Sequence, residues 1–391
     1  MAKTTKKDWH TQLIHSDARV PEGFRSLATP VYRGSTVLFP RAAAAIDQWN
    51  QHEVGYTYGL YGTPTTLELA AAICELEKGY RTLVVSSGQA SISLIHLALL
   101  QSGDHVLLPE SVYAPNRKCA NDLLRRFGVD VSYYPPEAGA GITSTFRPNT
   151  RLVWCESPGS ITMEVQDVPA IAEAAHRHGA LLVVDNTWSA GVYFDAFAHG
   201  ADVTMQALTK YVGGHSDLLL GSVTARDAAV FDRLGEAHSV LGCSASPDDS
   251  SLALRGMKTM AVRVKAIEQS ALTLATWLRN RHEVELVLHP ALDSCPGHAF
   301  WKRDFTGSTG LFSIVFQQRF SREQVQKFVD ELELFEIGYS WGGVNSLAVA
   351  YELQSPKRPA YGHRLVRLYV GLESLEDLKA DVEQALGKMS A

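Results

Sequence analysis

The sequence is short of cysteine, of positive charge and of long apolar runs, and each shortage removes a class of function. Its five cysteines (Cys74, Cys119, Cys155, Cys243 and Cys295) are scattered, odd in number and never spaced as CxxC. Neither a disulfide framework nor a zinc ribbon is expected, and a reducing cytoplasm is the default compartment. Lys and Arg total 36 against 42 Asp and Glu, for a net charge of −6. With no basic surplus to neutralise phosphates, nucleic acid is not expected as a partner. No apolar stretch approaches the length of a membrane span. The polar stretch Met1–His10 has no apolar h-region, so no secretory signal is expected. GxGxxG and GK[ST] are both missing, which removes the usual dinucleotide fingerprint and the P-loop. His176 and His178 lie two apart and would point to different sides of a helix, so no metal site is expected.

What is present is an ordinary globular composition, 46% hydrophobic and 20% charged over 391 residues, enough for two domains. Residues 1–62 show little periodicity and end in the glycine- and tyrosine-rich run Gly55–Gly62. Such an arm cannot bury a core of its own and is expected to lie on a neighbouring subunit. Pro64 opens a helix, with Thr65 and Glu68 at capping-box spacing and Gly79 as its stop. Strand-like runs follow at Thr82–Ser86, His105–Pro109, Val129–Tyr133, Arg151–Cys155, Leu181–Asp185, Val203–Gln206 and Leu219–Thr224. Helical patterns at Gln89–Leu100, Pro115–Phe127 and Val168–His178 lie between them. Alternation of this kind predicts an α/β domain over 63–256, a mostly parallel seven-stranded sheet with helices on both faces. From 257 to 391 the rhythm changes to a smaller α+β domain. It begins within a helical pattern from about Leu252 to Asn280 and ends with a strand at Leu365–Val370 and a helix from Glu373.

The chemistry is expected where two strands end. Leu181–Val184 is a buried apolar run that stops at Asp185, and the run at Val203–Gln206 leads to Thr209-Lys210. Carboxyl ends of parallel strands are where open α/β sheets bind ligands. An acid and a lysine delivered there suit pyridoxal 5′-phosphate (PLP), which needs a lysine for its Schiff base and a carboxylate at its pyridinium nitrogen. The plainer reading makes Asp185 a turn residue and Lys210 a solvated one. Ser86-Ser87-Gly88-Gln89 leaves a strand and opens a helix, whose free N–H groups attract a phosphate. Tyr113, just past a strand end, either stacks on a flat ring or packs on the surface. Arg367 interrupts an apolar strand and either clamps a carboxylate or joins an internal salt bridge.

Several blocks together resemble the Cys/Met-metabolism group of fold-type I PLP enzymes over nearly the whole chain. They are Glu156–Val165, Val184–Trp188, Thr209–Asp217, Phe300–Ser308 and Tyr339–Gly343, the last two resembling the β-lyase branch. The resemblance implies the PLP-dependent transferase-like fold. It implies Lys210 as the Schiff-base residue and proton carrier, and Asp185 as partner of the ring nitrogen. Tyr113 would stack on the ring, and Gly88, Gln89 and Thr209 would contact the phosphate. Ser340, Trp341 and Arg367 would meet the substrate, with Arg367 on its α-carboxylate. Tyr58 would enter the neighbouring subunit's site, in a homotetramer of catalytic dimers. The implied activity is cleavage of L-cystathionine to homocysteine, pyruvate and ammonia. A γ-acting relative and a non-catalytic regulatory protein of the same fold are the alternatives. Two positions depart from the group's pattern. Leu60 stands where many relatives carry a phosphate-binding arginine, with Arg33 the leading candidate to replace it, and Ala207 stands where several γ-acting relatives carry serine.

Overall fold

Apolar runs become central strands here because both faces of the sheet are covered. In the strand Thr150–Glu156, Val153 and Cys155 join the core on one side, while Leu152 and Trp154 join the core on the other. Leu182 and Val184 likewise face away from Val183 in the strand Leu181–Asp185. A strand buried on both faces loses the polar alternation of a half-exposed one. The structure, a computed structural model, describes residues 8–14, 26–353 and 361–390. Residues 1–7 and 15–25 of the expected arm lie outside the described residues.

The large sheet holds β1 (Arg81–Val85), β2 (His105–Pro109), β3 (Asp130–Tyr134), β4 (Thr150–Glu156), β5 (Leu181–Asp185), β6 (Val203–Gln206) and β7 (Gly221–Ala225). Their spatial order is β1-β7-β6-β5-β4-β2-β3. Only β7 runs antiparallel, against both β1 and β6. The seven-stranded, mostly parallel α/β sheet is therefore as the sequence indicated. Helices Pro64–Glu77 and Val168–His178 cover one face, and Gly88–Leu99 and Ala228–Leu241 the other.

A second sheet holds β8 (Val284–Leu288), β9 (Leu311–Phe316), β10 (Glu336–Ile337), β11 (Leu347–Leu353) and β12 (Gly362–Tyr369), in the order β10-β11-β12-β9-β8. The helix Pro247–Leu278 runs unbroken past residue 257, so no linker separates the two sheets there. Trp188 donates its indole N–H to the carbonyl of Leu311 at 3.1 Å, and Ser313 donates its hydroxyl to the carbonyl of Ile161 at 2.7 Å. These bonds fix the second sheet against the carboxyl edge of the first.

Some local expectations fail for identifiable reasons. Thr65 and Glu68 do not form the capping box. The N-cap is Thr63, whose N–H is received by the Thr66 hydroxyl at 2.7 Å. Thr65 and Glu68 instead hold the arm: Thr65 donates to the carbonyl of Pro30 and accepts from the N–H of Tyr32, and Glu68 accepts from Thr29. The helix Ala228–Leu241, unread in the sequence, contains Gly235, where a Cβ would lie 2.1 Å from the Trp49 ring. That glycine makes room for Trp49 rather than ending the helix.

Candidate active site

Strands β1, β2, β4, β5 and β6 point the same way, so their carboxyl ends share one edge. Between this edge and the second sheet lies a cleft of about 1500 Å³, counting the part open to solvent. It is lined by Gly88, Gln89, Tyr113, Asp185, Thr209, Lys210, Ser340, Trp341 and Arg367. Residues from six separate stretches of sequence thus meet in one place.

Lys210 sits in the turn after β6, its N–H bonded to the carbonyl of Ala207 at 3.0 Å. Its Nζ donates to Ser340 Oγ at 2.8 Å and lies 5.5 Å from the centre of the Trp341 ring. Burial, aided by the nearby Arg367 guanidinium and opposed by Asp185, pulls the Lys210 amine down to about 8. An amine so placed is partly neutral near neutral pH and can act as a base. The loop carrying Ser340 presses closely on Lys210, since a Cβ at Gly342 would stand 2.8 Å from Lys210 Cα. Ser340 itself adopts φ 93°, a strained conformation for a residue with a side chain.

Asp185 ends β5 and receives two bonds on Oδ1, from the Thr187 hydroxyl at 2.5 Å and the Thr187 N–H at 3.0 Å. Burial raises its carboxyl above the usual range, while these bonds and Lys210 act in the opposite direction. Thr187 is also tied to β6, accepting the N–H of Ala207 at 3.0 Å. Asp185 is therefore held in place and aimed into the cleft rather than left as a solvated turn residue.

Arg367 lies on β12 between Ser313 of β9 and Val349 of β11 and is 7% exposed. No ion pair involves it among the described residues; its guanidinium sits 5.2 Å from the Tyr351 ring centre. The internal salt bridge that would have explained it is absent there. A buried guanidinium without a carboxylate is costly unless a ligand supplies one.

Gly88 and Gln89 begin the helix Gly88–Leu99, which Ser87 caps by accepting the Ala90 N–H at 3.0 Å. A Cβ at Gly88 would meet Ala207 Cβ at 2.7 Å, so only glycine fits. The Thr209 hydroxyl already accepts from the N–H of Leu220 at 3.1 Å and donates to its carbonyl at 3.2 Å. Tyr58 is the one candidate that the structure does not bring to its own chain's cleft: it is 45% exposed, edge-on to Tyr61. Leu60 lines a different cavity, beside Trp49 and Phe231, and Arg33 is paired with Asp248.

Sequence reasoning gave no role to Glu156, Thr187 or Tyr351. Glu156 ends β4 beside Asp185, and its Oε2 accepts the N–H of Tyr113 at 2.6 Å. It had the same signal as Asp185, an acid closing a buried apolar run. Burial, then the charges of Glu156 and Asp185, raise the Tyr113 phenol.

The residues present fit PLP. Asp185 at the end of β5 and Lys210 in the turn after the neighbouring β6 line one cleft, with the aromatic Tyr113 at its wall. Gly88 and Gln89 open the capped helix, and the N–H groups of a helix's first turn attract a phosphate. Gly88 keeps that helix start free of a side chain.

Residues 10–387 match the model of a family described as Cys/Met metabolism PLP-dependent enzyme. A Rhizobium johnstonii protein, provisionally named a cystathionine beta-lyase, is 47% identical over 98% of this chain and 96% of its own length. The cystathionine beta-lyase of Bordetella avium is 40% identical over 99% of this chain and all of its own. The crystal structure of metB from Corynebacterium glutamicum superposes with a TM-score of 0.89 at 29% identity, covering 97% of this chain and 98% of that one.

Proposed function

The chain belongs to the Cys/Met-metabolism family of PLP-dependent enzymes, and from that premise we propose a carbon–sulfur β-lyase that cleaves L-cystathionine to homocysteine, pyruvate and ammonia. The observation that carries this reading is Lys210 Nζ, with its lowered basicity, sharing one cleft with Asp185 and with Arg367, which has no carboxylate partner among the described residues. Bound PLP supplies an electron sink that spreads the negative charge left at Cα.

The chain's own residues do the rest. Lys210 and Asp185 hold the cofactor, Tyr113 covers its ring, and Gly88, Gln89 and Thr209 receive its phosphate. Arg367 takes the α-carboxylate with its planar fork and orients Cα–H toward Lys210. Lys210 Nζ would remove that proton, with Ser340 Oγ and Trp341 steadying the amine. The Cβ–S bond then breaks, thiol leaves, and the three-carbon enamine takes up water to give pyruvate and ammonia.

Tyr58 acts in the neighbouring subunit's cleft, within a tetramer of catalytic dimers. Leu27 and Leu38 of the arm are 98% and 89% exposed, which supports a partner surface for residues 1–62. The division at 63–256 and 257–391 follows the two sheets. A cytoplasmic setting is supported by five free cysteines. No helix of the described residues is long and apolar enough to cross a membrane.

Lys210→Ala tests the assignment. The folded variant should release pyruvate at less than about a hundredth of the parent rate, since acid–base help alone contributes roughly 10²–10⁴. A higher rate would place the base elsewhere.

A further inference from the structure

The cleft has few charges, and the chemistry already claims most of them. Among its described lining residues four are formally charged: Lys210, Arg367, Asp185 and Glu156. Lys210 and Asp185 serve the cofactor, and Arg367 serves the α-carboxylate. Glu156 remains, already bonded to the Tyr113 N–H and of the wrong sign for a second carboxylate.

The rest of the lining is neutral and largely apolar or aromatic, including Ile161, Leu219, Leu311, Tyr339, Trp341 and Tyr351. Leu219 and Tyr339 expose 66% and 80% of their surface, offering apolar area to a ligand. A neighbouring subunit's Tyr58 segment would bring no charge either. From Val54 to Leu67 the sequence holds no charged residue, and acids flank it at Glu53 and Glu68. Arg33, the arm cation considered for this region, is engaged by Asp248.

Cystathionine carries a second ammonium and carboxylate on the far side of its sulfur. That carboxylate would give up water and meet an acid but, among the described residues, no free cation. An uncharged S-substituent would instead gain from burial against the aromatic wall. We propose that the preferred substrates are cysteine thioethers with an uncharged alkyl or aryl group on sulfur, and that cystathionine is a poorer substrate for the same elimination. The inference rests on the β-lyase reading. For a thioether R–S–CH₂–CH(NH₃⁺)–COO⁻, the Cβ–S bond breaks and the leaving sulfur takes a proton to become R–SH. One water converts the remaining three carbons to pyruvate and ammonium.

The test is pyruvate release by holoenzyme from S-propyl-L-cysteine, S-(2-carboxyethyl)-L-cysteine and L-cystathionine. The first two have similar length and differ in a terminal carboxylate. The expected result is kcat/KM for the propyl compound exceeding both others by about tenfold or more. A smaller margin, or the reverse order, with pyruvate still formed, would overturn the inference and leave the β-lyase reading standing. No pyruvate from any of the three would remove that reading and the inference with it.

Discussion

Arg367 shows how much one buried side chain can say about a ligand. On β12 it displaces an apolar residue from the middle of a sheet, and no carboxylate among the described residues repays it. Arg367→Lys keeps the charge and loses the fork, so substrate binding should suffer more than chemistry. We expect KM for amino-acid substrates to rise by about tenfold with kcat little changed, measured by steady-state kinetics. A loss of thermal stability at unchanged KM would make Arg367 structural. At this scale the sequence was legible where a charge interrupts an apolar run, as at Asp185 and Arg367. Glu156 met the same criterion and was passed over. Thr187 and Tyr351 carry no such mark, because a threonine or tyrosine near a strand end is common in any sheet. Their roles depend on neighbours brought together only by folding.

At the level of elements, the cleft's floor is braced by a buried polar knot behind it. Glu77, at the end of the helix Pro64–Glu77, accepts from Asn186 Nδ2 at 2.9 Å and from Gln206 Nε2. Asn186 follows Asp185, and Gln206 ends β6, so one carboxylate ties a helix to two site-bearing strands. Burial pushes Glu77 up to about 7, with Asp195 adding to it and the bonds from Asn186, Gln206 and Thr204 opposing it. A carboxyl harder to ionise in the folded chain than in the unfolded one stabilises the fold below its ordinary 4.5, and that contribution fades as pH rises through about 7. Comparing Tm at pH 5.5 and pH 8, Glu77→Gln should show a smaller fall than the parent, by on the order of a degree or more. An equal fall in both would mean that Glu77 does not titrate in this window. The strands of the large sheet were legible because burial on both faces leaves unbroken apolar runs. In the second sheet, β11 went unread: its alanines at 348 and 350 weaken the apolar signal that a strand needs.

For the whole molecule, the question is what a single chain leaves incomplete. Tyr58 stands outside its own cleft, and the arm's exposed leucines have no cover among the described residues. If each cleft borrows Tyr58 from a neighbour, two damaged subunits can repair each other. Lys210→Ala and Tyr58→Ala proteins, each weakly active, should regain about a quarter of parental activity when unfolded together and refolded as equal mixtures. Half of the dimers would then be mixed, with one complete cleft each. No recovery, with mixed dimers shown to form, would confine each site to one chain. The sequence could indicate this arm through its lack of periodicity, but its resting place is set by a surface that another chain provides.

β-Elimination at sulfur is the chemistry proposed for the cleft. The most direct measurement is the identity of the keto acid that purified holoenzyme releases from L-cystathionine, resolved by chromatography. Pyruvate with homocysteine is the expected result, because one deprotonation at Cα by Lys210 suffices to expel a β-thiolate. 2-Oxobutanoate with cysteine would contradict it and make the enzyme γ-acting.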